Sequence, residues 1–97
     1  MTIKELKDKC DKWYGNILEV YEVVGEYEFY IEGLNQCLKI KVLKYHNGSY
    51  RGSANLRAGG YKDVDHYDSK EMALEMALVG FLNNYKNGGK VSKEEDW

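Results

Sequence analysis

The feature that most restricts the fold is the strict alternation on either side of Asn47-Gly48. Leu38, Ile40 and Val42 alternate with Lys39, Lys41 and Leu43, and beyond the turn Tyr50, Ala54 and Leu56 alternate with Arg51, Ser53, Asn55 and Arg57. Period two marks strands with one buried and one wet face. Residues directly across an antiparallel pair share a face, so parity tests loop length. A two-residue turn at Asn47-Gly48 sets Ile40 against Asn55 and Val42 against Ser53, apolar against polar. A three-residue loop, His46-Asn47-Gly48, with Gly48 left-handed, sets Leu38 on Leu56, Ile40 on Ala54 and Val42 on Gly52. The sequence therefore predicts the three-residue loop.

Upstream, Ile17 to Val24 is rich in β-branched and aromatic residues, and after Gly25 Tyr27, Phe29 and Ile31 alternate with Glu26, Glu28, Tyr30 and Glu32. A four-residue loop, Gly33 to Gln36, pairs Phe29 with Ile40, Ile31 with Leu38 and Tyr27 with Val42. Gly25 reads either as a tight hairpin or as a bulge within one bent strand. Thr2-x-x-Glu5 fits a capping box ahead of Ile3, Leu6, Cys10 and Trp13 at helical spacing, with Gly15-Asn16 as the stop. A longer helix opens at Asp68 or Ser69. It carries Leu74, Ala77, Leu78, Phe81, Leu82 and Tyr85 on one stripe and ends at Asn87-Gly88. The expected fold class is α+β in two layers: a short N-terminal helix, an antiparallel meander of three to four strands, and a long C-terminal helix packed on one face of the sheet. Residues 1–86 form the single domain of this reading, and 87–97 a flexible polar and acidic tail.

Composition narrows function mostly by exclusion. At 97 residues and 11.3 kDa the chain suits one core. Residues 1–12 hold Lys4, Glu5, Lys7, Asp8, Lys9, Asp11 and Lys12, not the apolar stretch of a secretion signal, so a cytoplasmic location is expected. Apolar runs are far too short to span a bilayer, so no membrane partner is expected. Cys10 and Cys37 read as free thiols in such a compartment. The chain has no GxSxG, no phosphate loop and no cysteine beside a histidine, so an enzyme is not expected, nor any catalytic residue or cofactor. Asp63, Asp65, His66 and Asp68 invite a metal, but the spacing fails the EF-hand pattern and no metal site is assigned.

Charge is arranged in blocks although the net charge is only −2. Glu19 to Glu32 has five acids and no base, Leu34 to Lys62 six bases and no acid, and Asp63 to Glu75 five acids against Lys70 alone. The basic block, with Lys39, Lys41, Arg51, Arg57 and Tyr30, offers a face for a nucleic-acid backbone and stacked bases. The register above instead turns the first two blocks into cross-strand partners, Glu28 opposite Lys41 and Tyr30 opposite Lys39. That leaves Asp63, Asp65, His66, Asp68, Glu71 and Glu75 as the least compensated charge. Met72, Met76 and Val79 add a second apolar row to the long helix, to be covered by the first helix, by a protein partner or by a second copy in a homodimer. The functional expectation is a small non-enzymatic protein-binding module using Asp63, Asp65, His66, Asp68, Glu71, Glu75, Met72 and Met76. A nucleic-acid-binding domain is the alternative.

Two resemblances bear on this reading. If residues 17–32 are one bent strand, the helix-strands-helix order resembles the double-stranded-RNA-binding domain. That family clamps phosphates with a lysine-rich start to its second helix, where this chain has Asp63, Asp65, Asp68, Glu71 and Glu75 around one lysine. Carboxylates there repel the anion that the helix dipole attracts, which disfavours the reading. The stretch Glu71 to Leu82, with its Ala-Leu-x-x-Ala-Leu-x-Gly-Phe-Leu ending, is similar in style to small accessory proteins of phages and prophages of low-GC bacteria. That resemblance implies a protein that binds a macromolecule, in the manner of an inhibitor presenting carboxylates.

Overall fold

A computed structural model describes residues 2–95 and 97. Among them α1 (Ile3–Tyr14) precedes β1 (Tyr21–Phe29), β2 (Leu38–Tyr45), β3 (Tyr50–Ala54) and β4 (Leu56–Ala58), and then come α2 (Lys70–Lys86) and β5 (Val91–Lys93). β1, β2 and β3 form an antiparallel meander, β4 and β5 a separate two-stranded sheet. The architecture is α+β, with α2 packed on the meander. No described helix is long and apolar enough to cross a membrane.

α1 forms as its cap predicts: the Glu5 N–H donates to Thr2 Oγ1 at 3.1 Å. Asp11 ties its end to the chain that follows, accepting from Ile17 N–H at 2.6 Å and from Lys7 Nζ at 2.6 Å. These two donors hold the Asp11 carboxyl below its ordinary value. None of the residues of α1 is buried. The molecule extends 51 × 24 × 19 Å with a radius of gyration of 15.6 Å, above the roughly 12–13 Å of a compact chain this long.

The loop between β2 and β3 matches the parity argument. Gly48 has φ 88°, and Ile40 lies opposite Ala54 and Val42 opposite Gly52. The expected pairing of Leu38 with Leu56 is replaced. Asn55 interrupts the strand, its Oδ1 accepting from Lys39 N–H at 2.7 Å, and Leu56 passes into the β4/β5 pair. Both leucines still reach one core.

β1 departs from expectation by two residues while keeping parity. Phe29 faces Leu38, Tyr27 faces Ile40 and Glu28 faces Lys39, since the connection to β2 is longer than four residues. Gly25 lies at a bulge within a single strand. The inserted residue inverts the faces of β1: Gly25, Tyr27 and Phe29 lie opposite core-facing Val42, Ile40 and Leu38, whereas Tyr21 and Val23 lie opposite Tyr45 and Leu43. Leu43, expected to be wet, is therefore buried on the far face together with Tyr45. There the Tyr45 ring meets those of Tyr21 and His66, at centroid distances of 5.3 and 4.6 Å.

α2 also rests on the sheet by a stripe displaced from the predicted one. Ser69 is its cap, accepting from Met72 N–H at 3.1 Å. The fully covered residues are Ala73, Ala77 and Phe81, with Leu74, Leu78, Leu82 and Tyr85 packed at the flanks. The reason is Gly52. A Cβ there would stand 2.6 Å from Ala77 Cβ and 2.7 Å from Ala73 O, so the helix sits directly on the backbone of β3.

The tail is the largest departure. Residues 91–93 pair with β4 rather than fraying, and Glu94 N–H donates to Asn55 O at 2.8 Å. The Glu94 carboxylate is mostly buried; it accepts from Arg57 Nε at 2.6 Å and has Lys62 Nζ at 3.6 Å. Trp97 returns to the meander, its indole donating to Ser53 O at 2.7 Å with Lys41 Nζ 4.0 Å from a ring centroid. Asp96, an acid of this tail, lies outside the described residues. Composition reads this segment as polar, but one buried carboxylate and one indole suffice to dock it.

Two stability measurements follow. Gly52→Val should cost about 1–3 kcal/mol in urea unfolding through overpacking against α2. Trp97→Ala should cost about 1–2 kcal/mol by removing a part-buried indole hydrogen bond and a cation–π contact, and truncation after Gly88 should cost more.

Candidate interaction surface

The long loop from Gly59 to Asp68 is organised around one carboxylate. Asp63 is 8 % exposed. It accepts from the Tyr67 hydroxyl at 3.0 and 3.2 Å and from Asp65 N–H at 3.0 Å. This corrects its assignment to the acidic contact surface: a buried carboxylate must find donors, and those donors close the loop on itself. Tyr67 is held by backbone as well, exchanging N–H and C=O bonds with Tyr50 at 2.8 Å each. Desolvation, and next to it the Asp63 carboxylate, pushes the Tyr67 hydroxyl up to about 12.

Around this buckle the other candidates divide clearly. Asp65, Asp68, Glu71 and Glu75 are exposed, and none takes part in an ion pair among the described residues. His66 is exposed but oriented, its Nδ1 2.8 Å from Ser49 Oγ and its ring against Tyr45. A shallow cleft of about 240 Å³ lies between His66, Tyr67, Asp68, Ser69 and Met72. Met72, Met76 and Val79 are 45, 39 and 50 % exposed, so the described chain covers this row only in part. α1, expected as one cover for it, lies elsewhere; the helix packing on the sheet belongs to α2. The structure thus brings Asp65, Asp68, Glu71, Met72, Glu75 and Met76 onto one continuous flank of α2 and its entry loop.

The residues of the nucleic-acid alternative are brought to the sheet but are engaged within the chain. Lys39 Nζ is 3.7 Å from Glu28. Lys41 donates to Trp97 O at 3.1 Å and lies over its indole. Arg51 donates to the Tyr45 hydroxyl at 3.2 Å, and Arg57 is held by Glu94. Tyr30 is exposed, its hydroxyl 3.4 Å from Glu28 and raised above its ordinary value chiefly by neighbouring Cys37. Trp97 is the residue that sequence reasoning missed. A lone tryptophan in a polar tail was its only signal.

Among the described residues no three His, Cys, Asp or Glu side chains converge as a metal cluster. Cys10 and Cys37 are free thiols. No protein-family model, curated protein or solved structure matches the chain.

The Asp63 buckle gives a pH test. An unfolded tyrosine loses its proton near pH 10, whereas folded Tyr67 keeps it to about 12. Between these values the folded state binds more protons than the unfolded one, so stability falls as pH rises through that window. Tyr67→Phe should make the fall shallower in urea titrations at pH 9 and 11.5. Tyr61, raised mainly by burial, and Tyr30, raised chiefly by Cys37, retain a residual slope. At neutral pH the same variant should lose about 1–2 kcal/mol, because Asp63 then keeps the Asp65 N–H but loses the Tyr67 hydroxyl as a donor.

Proposed function

We propose that this protein is a small, non-enzymatic protein-binding module of accessory or inhibitor type. Its contact surface is the flank of α2 with its entry loop: Asp65, Asp68, Glu71 and Glu75 around Met72, Met76 and Val79. One observation carries the reading. Three large apolar side chains lie exposed in a single helical row, bordered by carboxylates that no described base neutralises. Water-exposed methionines suit adaptable contact, and a charged border suits steering and orientation of a basic partner. The rigid support beside them favours the same reading, because the adjacent Ala73 and Ala77 fix the helix on β3.

The alternative, nucleic acid on the basic strands, has less support. Its lysines and arginines would have to leave Glu28, Trp97, Tyr45 and Glu94 before meeting phosphate.

Affinity capture from a lysate of the source cells, with and without nuclease, separates the two. The expected result is a protein retained after nuclease treatment and lost, at unchanged melting temperature, on Glu71→Lys/Glu75→Lys or Met76→Glu. Nuclease-sensitive retention abolished by Lys39→Glu and insensitive to the α2 variants would reverse the assignment.

A further inference from the structure

The sheet has one long edge that nothing described covers. In the meander order β1-β2-β3, β1 is hydrogen-bonded on one side alone, and no loop or turn bonds to its other side among the described residues. The direction of its backbone groups follows from β2. Lys39 exchanges bonds with Asn55, and Tyr45 N–H donates to Ser49 O, so the odd-numbered residues of β2 address β3. The even-numbered ones address β1, as His46 N–H does in donating to Val20 O at 3.0 Å. Antiparallel geometry then turns the backbone groups of Glu22, Gly25, Tyr27 and Phe29 toward β2, and those of Tyr21, Glu26 and Glu28 outward.

The outward side chains on this edge fall into two groups, apolar before the bulge and acidic after it. Tyr21, Val23, Glu26 and Glu28 are opposite Tyr45, Leu43, Lys41 and Lys39, and thus share the face of the sheet turned away from the core, because the bulge at Val24 absorbs one residue. All four are exposed. The lysines across the ladder do little to neutralise the acids: Lys41 is taken by Trp97, Lys44 lies 5.8 Å from the Tyr50 ring centroid, and only the Lys39 contact with Glu28, at 3.7 Å, forms an ion pair. A second copy in the same place would set Glu against Glu or leave it beside another acidic edge, which disfavours self-pairing.

We infer that the free edge of β1 receives an extended basic segment of another protein as an added antiparallel strand. Main-chain bonds to Tyr21, Glu26 and Glu28 supply the pairing, as in other strand-addition interfaces. Selectivity comes from alternate side chains: Lys or Arg opposite Glu28 and Glu26, and an apolar residue opposite Val23. The recognised pattern is therefore Lys-x-Lys-x-apolar. This edge is separate from the α2 flank.

The probe is a fluorescein-labelled peptide, Thr-Lys-Thr-Lys-Thr-Val-Thr-Thr-Thr, long enough to reach Tyr21, followed by anisotropy at low salt, with hydrogen exchange of the protein read by NMR. The expected result is saturable binding, slowed exchange of the Tyr21, Glu26 and Glu28 amides, and affinity roughly tenfold weaker for Glu26→Lys/Glu28→Lys. Glu71→Lys/Glu75→Lys should leave the affinity unchanged. A shuffled peptide of the same composition, and one N-methylated at its ladder amides, should each bind at least roughly tenfold more weakly to the unaltered protein. Equal binding of either control would overturn the inference in favour of simple charge attraction. Absence of binding would also overturn it, leaving the carboxylates as guards against edge-to-edge association, and so would concentration-dependent dimerisation blocked by Glu26→Lys/Glu28→Lys.

Discussion

The close approach of α2 to β3 is the contact on which the remaining structure depends. Gly52 offers no side chain, and Ala73 and Ala77 offer little, so helix backbone and strand backbone meet almost directly. That proximity lets Phe81, lower on the same helix, enter fully among Leu38, Ile40, Leu56 and Ala58. It also decides what remains outside. With the small residues turned inward, Met72, Met76 and Val79 are rotated to the water. The exposed row is thus a geometric consequence of how the core closes, and its carboxylate border follows from sequence positions between those residues.

A second constraint is the bulge at Val24. One inserted residue turns the first half of β1 over, so Tyr21 and Val23 cover the far face of the sheet beside Leu43 and Tyr45 while Tyr27 and Phe29 serve the main core. A sheet that is apolar on opposite faces at its two ends needs cover on both. α2 supplies it for the core face, and at the other end His66 and Arg51 lie against Tyr45. The loop carrying His66 is shaped by Asp63 and Tyr67. The bend in β1 and the ordering of the acidic loop are in this way linked through one aromatic cluster.

What could be read from the residues was parity; what could not was any feature that parity leaves unchanged. The His46-Asn47-Gly48 loop followed from apolar facing apolar, since an error of one residue would have exposed every core side chain. An error of two would not, and Phe29 accordingly pairs with Leu38 instead of Ile40. The stripe on α2 was misplaced for a related reason. Leucines carry most of the hydrophobic signal, yet the centre of a tight helix–sheet contact belongs to alanines opposite a glycine, where small volume decides. On the acidic flank, charge pattern identified Asp65, Asp68, Glu71 and Glu75 as uncompensated but could not separate them from Asp63, because burial depends on where Tyr67 comes to rest.

Docking of the tail has the widest consequence for surface chemistry. Trp97 and Glu94 occupy Lys41 and Arg57, two of the six bases of the positive block, and so leave a face of nucleic-acid composition partly satisfied within the chain. Carboxylates without an ion pair among the described residues remain on the α2 flank and, as Glu26, on the edge of β1. A formal net charge of −2 hides this, since an acid paired with a base inside the chain cancels locally whereas the exposed carboxylates elsewhere keep their own field. Both open surfaces are accordingly suited to basic partners, and they differ in what lies beside the charge: an adaptable apolar row on the helix, and unpaired backbone on the strand.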